Sequence, residues 1–164
     1  MNKARRWLHG KVRGTERTGV LVTKESARFK PLGVHVLQSG DENAVHWFLE
    51  DKTSTRSSNY LEDAATEIQV QGLELDYTCL IWDADFRSKK DGWSYHTVRN
   101  SRWCNNSDPI NQDYQLNAYR VLLTRARKGM VICVPEGSTD DHTRQPAFYD
   151  ETYEYLKSLG IKEI

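Results

Sequence analysis

A chain of 164 residues has room for one ordinary domain whose core forms without metals or disulfides. With 38% hydrophobic and 28% charged residues it is too apolar to stay disordered, and its 23 Lys+Arg balance 23 Asp+Glu, so no global field draws it to nucleic acid or membrane. Cys79, Cys104 and Cys133 stand far apart without metal-ligand spacing, the basic start lacks the apolar stretch of a signal peptide, and no run of about eighteen apolar residues occurs; no disulfide framework, structural zinc, export or membrane span is expected, and a reduced cytoplasmic setting is.

Residues 1–18 are basic, carry Gly10 and Gly14 and show no sustained periodicity, so they read as an arm that orders against a partner. The main domain is expected over 19–164. Gly19 to Thr23 is a short apolar, β-branched run suited to a strand buried on both faces, and Val34 to Leu37 repeats that character after Pro31 and Gly33. Ser26 to Lys30, between them, is too short for a crossover helix. Ala44 to Leu49 predicts a short helix, and the polar stretch from Asp51 to Asn59 a loop.

Thr66 to Val70 alternates as a strand should, a glycine turn follows at Gly72, and Tyr77 to Trp82 predicts a second buried strand ending at Asp83. Residues 86–108 mix Gly, Asn, Ser and charge with aromatics, predicting an irregular insertion with a hairpin at Asp91-Gly92. From Asn111 to Lys128 the apolar spacing of Leu116, Tyr119, Leu122, Leu123 and Ala126 predicts an amphipathic helix stopped by Gly129. Met130 to Val134 predicts a further strand, and the apolar positions from Phe148 to Leu159 a closing helix ended by Gly160. Strands alternating with helices indicate an α/β sheet, at least partly parallel.

Two stretches, Gln69 to Asp76 (QVQGLELD) and Asn117 to Arg127 (NAYRVLLTRAR), resemble motifs V and VI of superfamily-one DNA and RNA helicases. The chain from about Arg17 onward is similar to the C-terminal part of a bacterial family of Schlafen-like helicase-domain proteins, usually described as ATP/GTP-binding. The resemblance implies a RecA-like second motor domain with a mainly parallel sheet flanked by helices. It further implies that Gln71, Gly72 and Glu74 meet a nucleotide, with Glu74 on the ribose, and that Arg125 is the arginine finger. The residue chemistry suits those tasks: glycine admits close backbone approach, a carboxylate accepts bonds from sugar hydroxyls, and a guanidinium grips a terminal phosphate through paired donors. Arg120 and Arg127 are expected along the same helix as Arg125, with Arg120 a further nucleotide contact, and Arg28 is the candidate for the motif IV arginine.

No GxxxxGKS/T occurs in the 164 residues, so the phosphate-binding loop is expected on a preceding Walker A domain, with ATP (or GTP) and Mg²⁺ held only in its company. Hydrolysis by this chain alone is expected to be poor or absent. Trp93, Tyr95 and Trp103, interleaved with Arg87, Lys89, Lys90, Arg99 and Arg102, suit stacking and charge neutralisation on a single strand, and equally a loop held by its own aromatics. Two rival functions remain: a binding module that kept the fold but lost the motor, and a metal-dependent nuclease using Glu74, Asp83 and Asp85. The second has no lysine or histidine at a convincing adjacent position.

Overall fold

The computed structural model describes residues 1–164, the side chain of Asp41 excepted. The chain divides into two compact units, one of Met1–Ile81 with Ala118–Cys133, the other of Trp82–Asn117 with Val134–Ile164.

The first unit is built on a five-stranded sheet in the order β2-β3-β1-β4-β8, with every neighbouring pair parallel. Its strands are β1 (Thr18–Val22), β2 (His35–Val36), β3 (Asp63–Thr66), β4 (Leu75–Ile81) and β8 (Ala126–Cys133). The α/β class and the mainly parallel sheet flanked by helices are thus present, an arrangement compatible with a RecA-like domain. β1 is buried at all five positions, and Val20, Leu21 and Val22 share the core with Cys79, Leu80 and Ile81 of β4. Such runs are apolar without alternation because helices cover both faces.

One of those helices is α1 (Asn2–Lys11), where the sequence suggests only an arm. Ala4 and Leu8 are buried, and Trp7 meets Tyr77 edge-on at 6.0 Å between ring centroids. Ala4, Trp7 and Leu8 recur at the three- and four-residue spacing of a helix face. The other face carries α2 (Asp41–Leu49), whose Trp47 is buried and donates its indole N–H to the carbonyl of Asp63 at 3.0 Å.

Further expectations shift. Thr66–Val70 is not a strand: the strand is Asp63–Thr66, and residues 67–73 form the turn that crosses to β4. β2 is reduced to His35–Val36 at the sheet edge, with His35 exposed. The segment between β1 and β2 is short, as expected, and forms the 3-10 helix Ser26–Leu32. Helix α3 (Pro109–Leu123) ends well before Gly129, so only Arg120 lies on it; Arg125 occupies the turn and Arg127 the start of β8. Gly129 does not stop a helix. It sits inside β8, where a side chain would press on Tyr77 at 3.2 Å and on Trp7 at 3.4 Å.

The second unit corrects the irregular insertion. Residues 86–105 form an antiparallel meander of β5 (Phe86–Lys89), β6 (Gly92–Arg99) and β7 (Arg102–Asn105). The hairpin at Asp91-Gly92 is present, joining Lys89 to Gly92 across two residues. A second two-residue turn, Asn100-Ser101, has φ of 49° and 59°, the left-handed pair that matches strand twist. The closing helix α4 (Asp150–Ser158) belongs to this unit, and its Thr152 hydroxyl accepts the Ser88 amide at 3.0 Å.

Candidate functional site

The segment from Thr66 to Asp76 leaves the C-terminal end of β3 and returns to the N-terminal end of β4. Its first half is fixed by Gln69, whose side-chain oxygen accepts from the Thr66 amide at 2.9 Å and from the Thr66 hydroxyl at 3.1 Å. The Gln69 amide group donates onward to the carbonyls of Leu37 and Gln38. Gly72 then takes φ +80° with no atom near the position of a side chain, so this turn needs glycine for its backbone and leaves the backbone open to an approaching group. Gln71, Gly72 and Glu74 are all exposed.

Arg125 docks on this turn. Its Nη1 donates to the Leu73 carbonyl at 2.9 Å and to the Val70 carbonyl at 3.5 Å, its Nε to Val121 at 2.9 Å, and its Nη2 to the Thr124 hydroxyl at 3.1 Å. The Arg125 carbonyl in turn accepts the Leu75 amide at 2.9 Å. Bonds to Arg125 therefore bracket Glu74, one from the residue before it and one from the residue after it. These contacts also explain where α3 ends: Thr124 returns its hydroxyl to the Arg120 and Val121 carbonyls and Arg125 its Nε to Val121, so side chains occupy the last helical acceptors.

One step further along both segments lies a second junction. Asp76 Oδ1 meets Arg127 Nη2 at 3.0 Å and Lys128 Nζ at 3.3 Å, while Oδ2 accepts the Arg17 amide at 2.9 Å. Lys128 also pairs with Glu16. Burial alone raises the Asp76 carboxyl, but the Arg17 amide, the Lys128 ammonium and the nearby Arg127 charge outweigh it and hold the group below the usual carboxylate range. Sequence reasoning named Arg127 only as a companion of Arg125 and gave Asp76, Lys128 and Arg17 no role; nothing in the spacing marks them.

Arg120 is exposed on the last turn of α3. Arg28 is not brought to the group. It follows the C-terminal end of β1, with its Nη2 on the Glu25 carbonyl at 2.7 Å, whereas Glu74 and Arg125 stand at the N-terminal ends of the parallel strands β4 and β8. Next to the turn, α2 borders a groove of about 720 Å³ whose lining includes Val45, Phe48, Leu49, Ile68, Gln71 and Leu73. Val45, Leu49 and Ile68 are apolar yet 50%, 64% and 65% exposed.

The carboxylates of the nuclease reading are divided between the units, Glu74 in the first and Asp83 and Asp85 in the second. Glu74 precedes β4 and Asp83 follows it. Asp83 and Asp85 are each 1% exposed, and Asp83 accepts the Ala84 amide at 2.6 Å. Among the described residues no group of three or more His, Cys, Asp or Glu side chains is placed to hold a metal ion.

The aromatics of the second unit are engaged in packing. Trp93 stacks on Phe86 at 4.4 Å and meets Tyr155 edge-on at 5.1 Å. Trp103 donates its indole N–H to the Thr143 carbonyl at 2.8 Å, with the Arg87 guanidinium 5.0 Å from its ring. Lys89 pairs with Glu151, while Arg99 and Arg102 are exposed beside the Asn100-Ser101 turn.

No helix among the described residues is long and apolar enough to cross a membrane. The family described as Schlafen group 3, DNA/RNA helicase domain, matches residues 1–136, a span that starts with α1 and runs through β8. No curated protein and no solved structure matches the chain.

Proposed function

The chain belongs to the Schlafen group 3 DNA/RNA helicase domain family, and from that footing we propose that it supplies one face of an ATP or GTP site in a nucleic-acid-remodelling motor. A Walker A domain completes that site, in the same polypeptide or in a neighbouring one, and brings most of the Mg²⁺ coordination. Glu74 holds the ribose and Arg125 reaches the terminal phosphate. The observation that carries the reading is the bracketing of the exposed Glu74 by the bonds of Leu73 and Leu75 to Arg125, which unites two segments 51 positions apart.

A guanidinium carries five donors, and Arg125 directs four bonds at its own domain. In the proposed cycle it rests on the Val70 and Leu73 carbonyls while the cleft is open and exchanges them for phosphate oxygens when the partner domain closes. Such an exchange places the charge where it develops on the transferring phosphoryl group. The exposed Val45, Leu49 and Ile68 beside the turn support a partner domain, since apolar side chains clustered along a groove mark interaction surfaces.

The competing reading, a binding module without a motor, draws on the same guanidinium, because its four bonds also describe a permanent cap on α3. Nucleic-acid-stimulated ATP hydrolysis, measured on this chain combined with the domain that bears the phosphate loop, separates the two. Arg125→Ala is expected to lower kcat by roughly a thousandfold. Undiminished turnover would remove the finger and leave the cap.

A further inference from the structure

Asp76 ends the segment that carries Glu74, and its carboxylate is the deepest charge in the neighbourhood, the residue being only 4% exposed. It is reached from two directions. The Arg17 amide, just ahead of β1, donates to Oδ2, and the side chains of Arg127 and Lys128, at the start of β8, meet Oδ1. Arg127 and Lys128 follow Arg125 by two and three residues, and Asp76 follows Glu74 by two. A carboxylate at this depth is unfavourable unless its lone pairs are taken, so the ion holds its partners as firmly as they hold it.

We infer that Asp76 is a positioning residue: it locks the first residues of β8 against the first residues of β4 and so sets the spacing between the Glu74 carboxylate and the Arg125 guanidinium. That role rests on the nucleotide reading above. Ribose and terminal phosphate belong to one rigid ligand, and two groups that must meet both ends of it need a fixed separation. The Leu75 amide bonds the Arg125 carbonyl at the turn, but the β4–β8 register then shifts between Leu75 and Tyr77, the interval in which Asp76 lies. The Asp76 ion pairs to Arg127 and Lys128 fasten the two strands across that irregularity. An error of about 1 Å at reacting groups costs on the order of a hundredfold in rate, which makes such a clamp consequential without its touching the nucleotide.

The test compares turnover of the assembled ATPase for wild type, Asp76→Asn, Arg125→Ala and the double variant. Asp76→Asn keeps the shape and one acceptor for the Arg17 amide while removing the charge. It is expected to lower kcat roughly tenfold, to leave KM for ATP within about twofold, and to cost nothing further once Arg125 is absent. A purely structural carboxylate would instead give losses that multiply in the double variant, and that outcome, like an unchanged kcat, overturns the positioning role. Wild-type turnover in Arg125→Ala alone refutes the nucleotide reading and takes the clamp with it, a result read from a different protein in the same series. Should Asp76→Asn fail to fold, Arg127→Gln alters the exposed partner, whose side chain is 57% accessible. A smaller kcat loss with the same non-additivity supports the role, and full activity overturns it.

Discussion

Single residues in this chain are constrained most tightly where the sheet meets its covering helices. Gly19 is the second residue of buried β1 and lies directly beneath Trp47 of α2. A side-chain carbon there would come within 2.7 Å of two indole carbons and 2.9 Å of a Leu75 methyl. The indole has little freedom to retreat, because its N–H is bonded to the Asp63 carbonyl and the ring is buried. Gly19→Ala is therefore expected to destabilise the protein by about 1 to 3 kcal/mol through overpacking. Urea unfolding followed by tryptophan fluorescence measures it, and a midpoint equal to wild type would show that α2 yields to the methyl. Trp47→Leu should relieve part of the cost in the double variant, since the clash and its relief are one contact.

Whole elements show which parts of the pattern the sequence expresses. Helix α1 was hidden because its buried face amounts to Ala4, Trp7 and Leu8 among basic neighbours, and Leu8 is its one large residue with no exposure at all. Leu8→Ala is expected to cost about 2 to 5 kcal/mol, the range for emptying a core leucine site, whereas an arm that orders only against a partner would tolerate it without change. Thermal unfolding of the chain by itself decides between them. β1 and β4 were legible as unbroken β-branched and apolar runs. β3 was displaced onto Thr66–Val70 because its core, Ala64 and Ala65, is small and carries little strand preference, while the alternation downstream belongs to a turn whose Gln69 bonds the main chain. Of the meander only the Asp91-Gly92 hairpin is legible, since the second turn is Asn-Ser, not Asn-Gly. The end of α3 escaped because caps made by Thr124 and Arg125 look in sequence like more helix. Of the site, the pairing of Glu74 with Arg125 came through a resemblance; the clamp at Asp76 depends on which strands are neighbours, and a linear pattern does not contain that.

Taken as a whole the molecule balances 23 positive against 23 negative side chains, so its response to pH comes from particular sites and not from net charge. In the first unit the depressed Asp76 carboxyl contributes stability that is complete above its ordinary pKa and is lost as the pH falls through its lowered one. In the second unit the sensitive group is His96, on β6 of the meander, with its Nε2 3.1 Å from the Ser94 hydroxyl. Burial first, and then the positive charges of Arg87 and Lys89, push its pKa down from 6.5 to about 4. Between those two values the unfolded chain binds a proton that the folded chain refuses, so stability falls as the solution is acidified from about pH 6.5 toward 4. Allowing for solvent screening of a half-buried ring, the loss should be about 1 to 2 kcal/mol. Urea midpoints at pH 7 and pH 4.5 read it directly. His96→Gln keeps a polar partner for Ser94 without the titration, so its midpoint should change less across the same interval; a variant as acid-sensitive as wild type would move the effect to another group.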